Sequence, residues 1–417
     1  MDLEQSISKQ TQVSITLATH LLINKFPNSN VVFSPFSIHA ILSILATGSK
    51  GPTRDQLLVF LNANTAEELN SLYSHLVPLI FTNMSSPSNE PHFSVDGNSS
   101  DGSELSVEDS SSSGPQLSVA NGVWVDKTLS FKPSFKEVVD SVYKAACNQV
   151  DFRAKEVENE VNLWAEEQTN GLIKQVIPAN AINKFTTLIF ANAIYFKGAW
   201  SKEYFDESST EDYDFHLING TKVEVPFMTS EKDQLLCEHD DFKVLGLPYF
   251  KGKDEREFTM YFFLPNAKDG LRSLIEKISS TSDFIEDHIP SRRAKVGEFL
   301  IPKFKISIGF EASGMLKEIG LVLPFRDEND YTEMIESSSV GDSVDVCGIH
   351  HKSFVEVNEE GTEAAAVSML FMTRAARPGT PPKIVDFVAD HPFLFVIRED
   401  VTGVVLFMGQ VIDPSVC

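Results

Sequence analysis

The chain has 417 residues, 42% of them hydrophobic, with 59 acidic against 35 basic residues and a formal net charge of −24. Its length supports a large core and by itself allows two or three domains. So acidic a chain repels phosphate backbones, which argues against nucleic acid as a general partner.

The N-terminal stretch MDLEQSISKQTQ is polar and lacks an apolar signal core. No run approaches the ~18 apolar residues of a membrane span. The expectation is a soluble, cytoplasmic monomer with reduced thiols, rather than an extracellular or nuclear one. Cys147, Cys237, Cys347 and Cys417 are widely spaced, contain no CxxC pair and carry no metal or redox pattern.

Helical periodicity runs from Val13 to Phe26 and stops before Pro27. Val31–Phe33 reads as a short strand. Ser34 then offers an N-cap and Pro35 a first helical position, and the almost wholly apolar run Ile38 to Ala46 predicts a buried helix. Further helices are expected over Thr53 to Leu61 and Thr65 to Phe81. Residues 83–114 are dominated by Ser, Asp, Glu, Asn, Pro and Gly. Such a segment cannot bury enough apolar surface to offset its ordering entropy, so it is expected to be a disordered insertion, with an interdomain linker as the alternative.

Strand character resumes at Gln116 to Val125, and helices are expected over Pro133 to Val142 and Glu156 to Thr169. Phe185 to Phe196 is apolar on both faces, as a central strand requires. Strands are then expected at Thr221 to Met228, Phe242 to Pro248, Phe258 to Leu264, Val296 to Ile308, Lys352 to Val357, Phe393 to Arg398 and Val404 to Val411. Helices are expected at Leu271 to Ile278 and Glu311 to Ile319. Helices crowd the first half and strands the second, which predicts an α+β fold with large sheets rather than βαβ repeats.

No GxSxG, P-loop, GxGxxG or HExxH is present, so nothing points to an enzyme or to a cofactor. His350 and His351 are adjacent, and on a strand they face opposite ways, which disfavours a shared metal ion. Asp327-Glu328-Asn329-Asp330 lacks the spaced ligands of a calcium loop.

The informative stretch is VEVNEEGTEAAAVSMLFMTRAARP, from Val355 to Pro378. Phe354 to Asn358 alternates as a half-buried strand does. Glu359 and Glu360 interrupt it, and Gly361 can adopt backbone angles closed to other residues. If the chain then extends, Thr362, Ala364, Ala366 and Ser368 share one face, all small, with Glu363 opposite. Glu, Ala, Met and Leu also favour helix, with Thr362 able to cap one, so strand and helix both stand on local grounds. Beyond them, Thr373 to Pro382 reads as an exposed loop, with Arg374 and Arg377 accessible to a protease.

VNEEGTEAAA resembles the hinge of inhibitory serpins, and ADHPFLFVIRE with GVVLFMGQVIDP resembles the serpin C-terminal pattern. DFVADHPF is similar to plant members. NVVFSPFSI and NAIYFKGAW resemble the family's central helix start and NxxYFKGxW strand, so the likeness covers nearly the whole chain outside the Ser-rich insertion. It implies a single serpin domain with a large central sheet, further sheets, about eight to nine helices and an exposed reactive-centre loop within 359–382. It implies a suicide-substrate inhibitor of serine or cysteine proteases that catalyses nothing itself. A non-inhibitory binding or scaffold serpin is the alternative. The resemblance places Ser34, Ser37, Asn192 and His351 in a polar cluster under the sheet, the shutter, and Trp200 at its top, the breach. It makes Glu359, Glu360, Gly361, Thr362, Glu363, Ala364, Ala365 and Ala366 the hinge. Counting from Gly361 puts the cut at Ala375-Ala376, and a loop shifted by one would put it at Arg374-Ala375.

Overall fold

In the computed structural model the described residues are 3–81, 114–201, 204–252, 255–326, 329–336, 344, 346–362 and 384–416. The expected insertion apart from Gly114, the hinge residues Glu363, Ala364, Ala365 and Ala366, the candidate reactive residues Arg374, Ala375 and Ala376, and Cys417 lie outside them.

Nine α-helices occur among the described residues: α1 (Leu3–His20), α2 (Pro35–Gly48), α3 (Gly51–Phe60), α4 (Ala66–Ile80), α5 (Pro133–Tyr143), α6 (Val157–Gln168), α7 (Leu271–Ser280), α8 (Phe284–His288) and α9 (Ser313–Glu318). The strands of the first half are β1 (Val31–Phe33), β2 (Gln116–Asp126), β3 (Ser130–Phe131), β4 (Ala146–Val150) and β5 (Leu188–Ala199). Then come β6 (Glu211–His216), β7 (Lys222–Thr229), β8 (Gln234–Glu238), β9 (Phe242–Pro248), β10 (Phe258–Pro265), β11 (Arg293–Pro302) and β12 (Phe304–Glu311). The last are β13 (Ile335–Glu336), β14 (Val346–Val357), β15 (Gly361–Thr362), β16 (Ile384–Val388), β17 (Phe393–Glu399) and β18 (Val405–Val411).

These strands form an α+β fold with two large sheets. One runs β1-β18-β17-β10-β9-β8-β11-β7-β6, with β16 beside β11. The other runs β12-β14-β5-β2-β4, with β15 beside β5. Within the second sheet β12 and β14 are antiparallel, but β14 and β5 are parallel, from Val346↔Leu188 to Phe354↔Tyr195. A parallel pair has room for an extra strand antiparallel to both, and β15 already pairs antiparallel to β5 through Gly361↔Ala199 and Thr362↔Gly198.

The sheet is covered on both faces. Against one, α6 packs through Val157, Val161 and Ala165 onto Trp124 and Tyr195, with Trp164 edge-on to Trp124 at 4.6 Å. Against the other lies the main core, which includes β1 and α2. Helix α2 is buried along nearly its whole length. Its start is set by Ser34, whose Oγ accepts the Ser37 N–H at 3.1 Å, and by Pro35 in the first turn.

The differences from the sequence reading have local causes. Helix α1 begins at Leu3, well before Val13, because Ser6, Gln10 and Ser14 lie on its buried face. The Gln10 amide bonds to Ser14 Oγ at 2.9 Å, so a polar stripe serves as a packing face. The run Val296 to Ile308 is two strands in different sheets, with the change at Lys303, whose N–H bonds to Pro226 O. Phe185 is 77% exposed, and the central strand starts only at Leu188. Strands β4 and β6 escaped notice because they are sheet edges without apolar alternation.

Candidate functional site

The site is the upper end of the gap between β14 and β5. Strand β14 ends at Val357, and the chain reverses in a tight hairpin over Glu359 and Glu360. Asn358 and Gly361 exchange backbone hydrogen bonds, Asn358 N–H to Gly361 O at 3.0 Å and the reverse at 3.3 Å. The Asn358 Oδ1 also accepts the N–H groups of Glu360 and Gly361, which closes the turn from within. Gly361 follows at φ +144°, and a Cβ there would stand 2.2 Å from Gly198 O. Only glycine lets the backbone come so close to β5.

Trp200 holds the hairpin in place. Its indole N–H donates to Asn358 O at 2.9 Å and its backbone N–H to Glu360 O at 3.0 Å. The ring stacks on Tyr249 at 4.7 Å, and the Tyr249 hydroxyl meets Thr362 Oγ1 at 2.7 Å. Thr362 is fully buried. Glu359 pairs with Lys303 at 2.8 Å and accepts from Thr210 at 2.6 Å. Burial opposes ionisation of Glu359, but these hydrogen bonds outweigh it and hold the carboxyl below its usual range. The hairpin is therefore tied to β5, to Trp200 and Tyr249 just beyond the ends of β5 and β9, and to Thr210 and Lys303, and Gly361 and Thr362 enter the mouth of the gap as strand β15.

Lower along the β14–β5 boundary, where the two strands pair directly, a polar row crosses three strands. Asn121 on β2, Asn192 on β5 and His351 on β14 share one register row. The Ser34 N–H donates to His351 Nε2 at 3.1 Å. A backbone N–H can only donate, so Nε2 is the unprotonated nitrogen and Nδ1 carries the proton. Nδ1–H then donates to Asn192 Oδ1 at 2.6 Å, and Asn192 Nδ2 donates to Asn121 Oδ1 at 2.6 Å. Ser353 Oγ adds a bond from β14 to Val32 O at 2.7 Å. Burial lowers the His351 pKa to about 3, so the ring is neutral near pH 7.

Of the expected residues, Ser34, Asn192 and His351 come together by direct hydrogen bonds. Ser37 joins through its backbone N–H alone, and its buried hydroxyl finds no partner among the described residues. Trp200, Glu359, Glu360, Gly361 and Thr362 assemble at the top. His350 faces away from His351 into the opposite layer, as strand alternation demands. Among the described residues no group of three or more His, Cys, Asp or Glu could hold a metal. No helix there is long and apolar enough to cross a membrane.

Sequence reasoning missed Asn121, Thr210, Tyr249, Lys303 and Asn358. A signal existed for Asn121, a lone amide within the apolar run LSVANGVWV. Lys303 had none, being one lysine within an apparently continuous strand.

A family model described as "Serpin (serine protease inhibitor)" matches residues 8–414. Serpin-ZX of Arabidopsis thaliana is 51% identical over 416 residues, covering 99% of this chain and 100% of that protein. Serpin-Z4 of the same plant is 47% identical over 426 residues, covering 100% of both. A structure of Arabidopsis AtSerpin1, described as the native stressed conformation, superposes with a TM-score of 0.85 at 49% identity, covering 100% of both chains. With the fold, the family pattern and full-length relatives all agreeing, the chain belongs to the serpin family, whose members are protease inhibitors and generally not enzymes.

Proposed function

We propose that this protein is a suicide-substrate inhibitor that traps serine proteases, and cysteine proteases by the same route, through insertion of its cut loop between β14 and β5. The observation that carries this reading is the hinge itself: Gly361 and Thr362 sit in the gap as an antiparallel strand on β5 while the rest of the gap below is closed by direct β14–β5 pairing. The likeness to AtSerpin1 in its native stressed conformation supports taking this arrangement as the state before cleavage.

The mechanism is kinetic. The protease attacks the loop with its own nucleophile and forms an acyl-enzyme. With protease turnover on the order of 10 per second, insertion has roughly a tenth of a second before deacylation frees the enzyme. Insertion breaks the Asn192–His351 bond and the β14–β5 pairing, then replaces each lost bond with pairing to the new strand on both sides. The shutter roles of Ser34, Ser37, Asn192 and His351, the breach role of Trp200 and the hinge role of 359–366 belong to this proposal. So do the single-domain organisation and the cytoplasmic site of action.

The cut falls at Arg374-Ala375 or Ala375-Ala376, with Arg374 the favoured anchor for an Arg-specific protease. Incubation with trypsin-like, elastase-like and papain-like proteases tests both points. A complex that survives boiling in detergent is expected, and mass spectrometry of the released C-terminal peptide fixes the bond. Clean cleavage without complex across all three classes would contradict the proposal.

A further inference from the structure

We propose that a cavity of about 160 Å³ beside β14 binds a small oxyanion, a phosphate or carboxylate group, through Lys352 and His350, and that its occupant opposes separation of β14 from β5. The cavity lies on the α6 face of the sheet. Its lining includes His350 and Lys352 of β14, Gly309 and Glu311 of β12, and Gln175 and Val176 from the segment between α6 and β5.

His350 and Lys352 are two residues apart on one strand, so their side chains share this face. Neither makes a hydrogen bond or ion pair within 4 Å among the described residues, although His350 is buried and Lys352 half-buried. Among the described residues, Glu311 is the one carboxylate in the lining. It already accepts from three backbone N–H groups, those of Ser313 at 2.7 Å, Ile349 at 3.1 Å and Gly314 at 3.3 Å. Its oxygens are thus already engaged by backbone donors. Two glycines make room for the His350 and Lys352 side chains, Gly309 in the lining and Gly348 beside His350. A Cβ on Gly309 would stand 2.9 Å from Lys352 Cδ, and one on Gly348 would stand 2.8 Å from His350 Nε2. The lysine stem therefore lies flat across its cross-strand partner, Gly309.

Burial disfavours the charged form of both groups, and the neighbouring Glu311 only partly offsets this for His350. An anion with two or more oxygens would relieve both at once and could accept from the Gln175 amide as well.

The cavity joins two bodies. Asn162 of α6 accepts the N–H groups of Val176 and Ile177, each at 2.9 Å, and donates to Ile177 O at 3.1 Å. One wall is thereby fixed to α6, which packs on β2 and β5. The other wall is the β12–β14 pair. A ligand bridging the walls holds together the two halves that must part for a strand to enter. This second half of the inference rests on the proposed insertion mechanism, whereas the binding half does not.

The test is calorimetric titration of the intact protein with inorganic phosphate and, separately, with citrate, at constant ionic strength set with chloride. The two arms distinguish phosphate from carboxylate as the preferred group. Saturable single-site binding is expected for at least one of them. Lys352→Met should weaken it at least about tenfold, the loss of one charge-assisted bond, while Lys352→Arg retains it. No saturable heat from either anion, or equal affinity in Lys352→Met, would overturn the site. The coupling is read by the rate at which a synthetic peptide copying residues 362–375 inserts into the sheet. Saturating anion should slow insertion into the wild-type protein and not into Lys352→Met. Binding without any change in that rate would overturn the clamp while leaving the site standing. Failure to inhibit any protease would bear on the proposed function alone.

Discussion

Gly361 and His351 show how single residues set the two ends of the gap. At Gly361 any side chain meets the Gly198 carbonyl, and the φ of +144° is itself closed to other residues. Gly361→Ala should therefore cost about 1–3 kcal/mol and free the hairpin from β5, read as a drop of a few degrees in the thermal midpoint. His351 is held neutral by burial, with a pKa of about 3, and so is His39, which bonds through Nδ1 to the Tyr73 hydroxyl at 2.8 Å. The unfolded chain takes up a proton on each near pH 6.5, and the folded chain does so only near 3. Stability is then full above about pH 6.5 and is lost as pH falls through that window, by up to about 1.4 kcal/mol per unit for each histidine. His351→Phe leaves the Ser34 N–H and Asn192 Oδ1 without their partner. It should destabilise the protein near pH 7 by about 1–3 kcal/mol per orphaned group and flatten the slope toward acid, both measured by thermal unfolding across pH. An unchanged slope would mean that His351 is not the titrating group.

At the scale of elements, the hairpin from Asn358 to Thr362 is secured from three directions: Trp200 just after β5, Tyr249 just after β9, and Lys303 from the junction of β11 and β12. The Glu359 side chain is only 8% exposed, so Lys303→Met leaves a nearly buried carboxylate with Thr210 as its remaining side-chain partner. The expected result is a loss of about 1–3 kcal/mol and faster insertion of the 362–375 peptide, followed by fluorescence of Trp200. Long apolar elements were legible in the sequence because their burial pattern is written in side chains. Helix α2, β5, β10, β17 and β18 are of this kind. The hinge could not be assigned locally, since Thr362 and the alanines after it suit helix and strand alike. The register row Asn121–Asn192–His351 was only half legible, because a cross-strand bond depends on strand order and not on spacing along the chain. The same limit hid Lys303, whose partner lies 56 residues away.

For the whole molecule, the sheet in its present form leaves the lower gap closed by parallel pairing and only its mouth occupied. A cut loop that enters would add a strand bonded on both sides. At about 1 kcal/mol for each net backbone hydrogen bond, roughly ten new bonds stabilise the product by on the order of 10 kcal/mol. Under the proposed insertion mechanism the uncut protein is the less stable form, held there by the hairpin, the polar row and the α6 cover. Nicking the loop within 363–382 with a non-target protease and following thermal unfolding of the cut protein tests this most directly. Insertion predicts a midpoint at least about 10 °C above that of the uncut chain. An unchanged midpoint after complete cleavage would mean that the loop does not enter the sheet, and the protein would then be a serpin that binds without trapping.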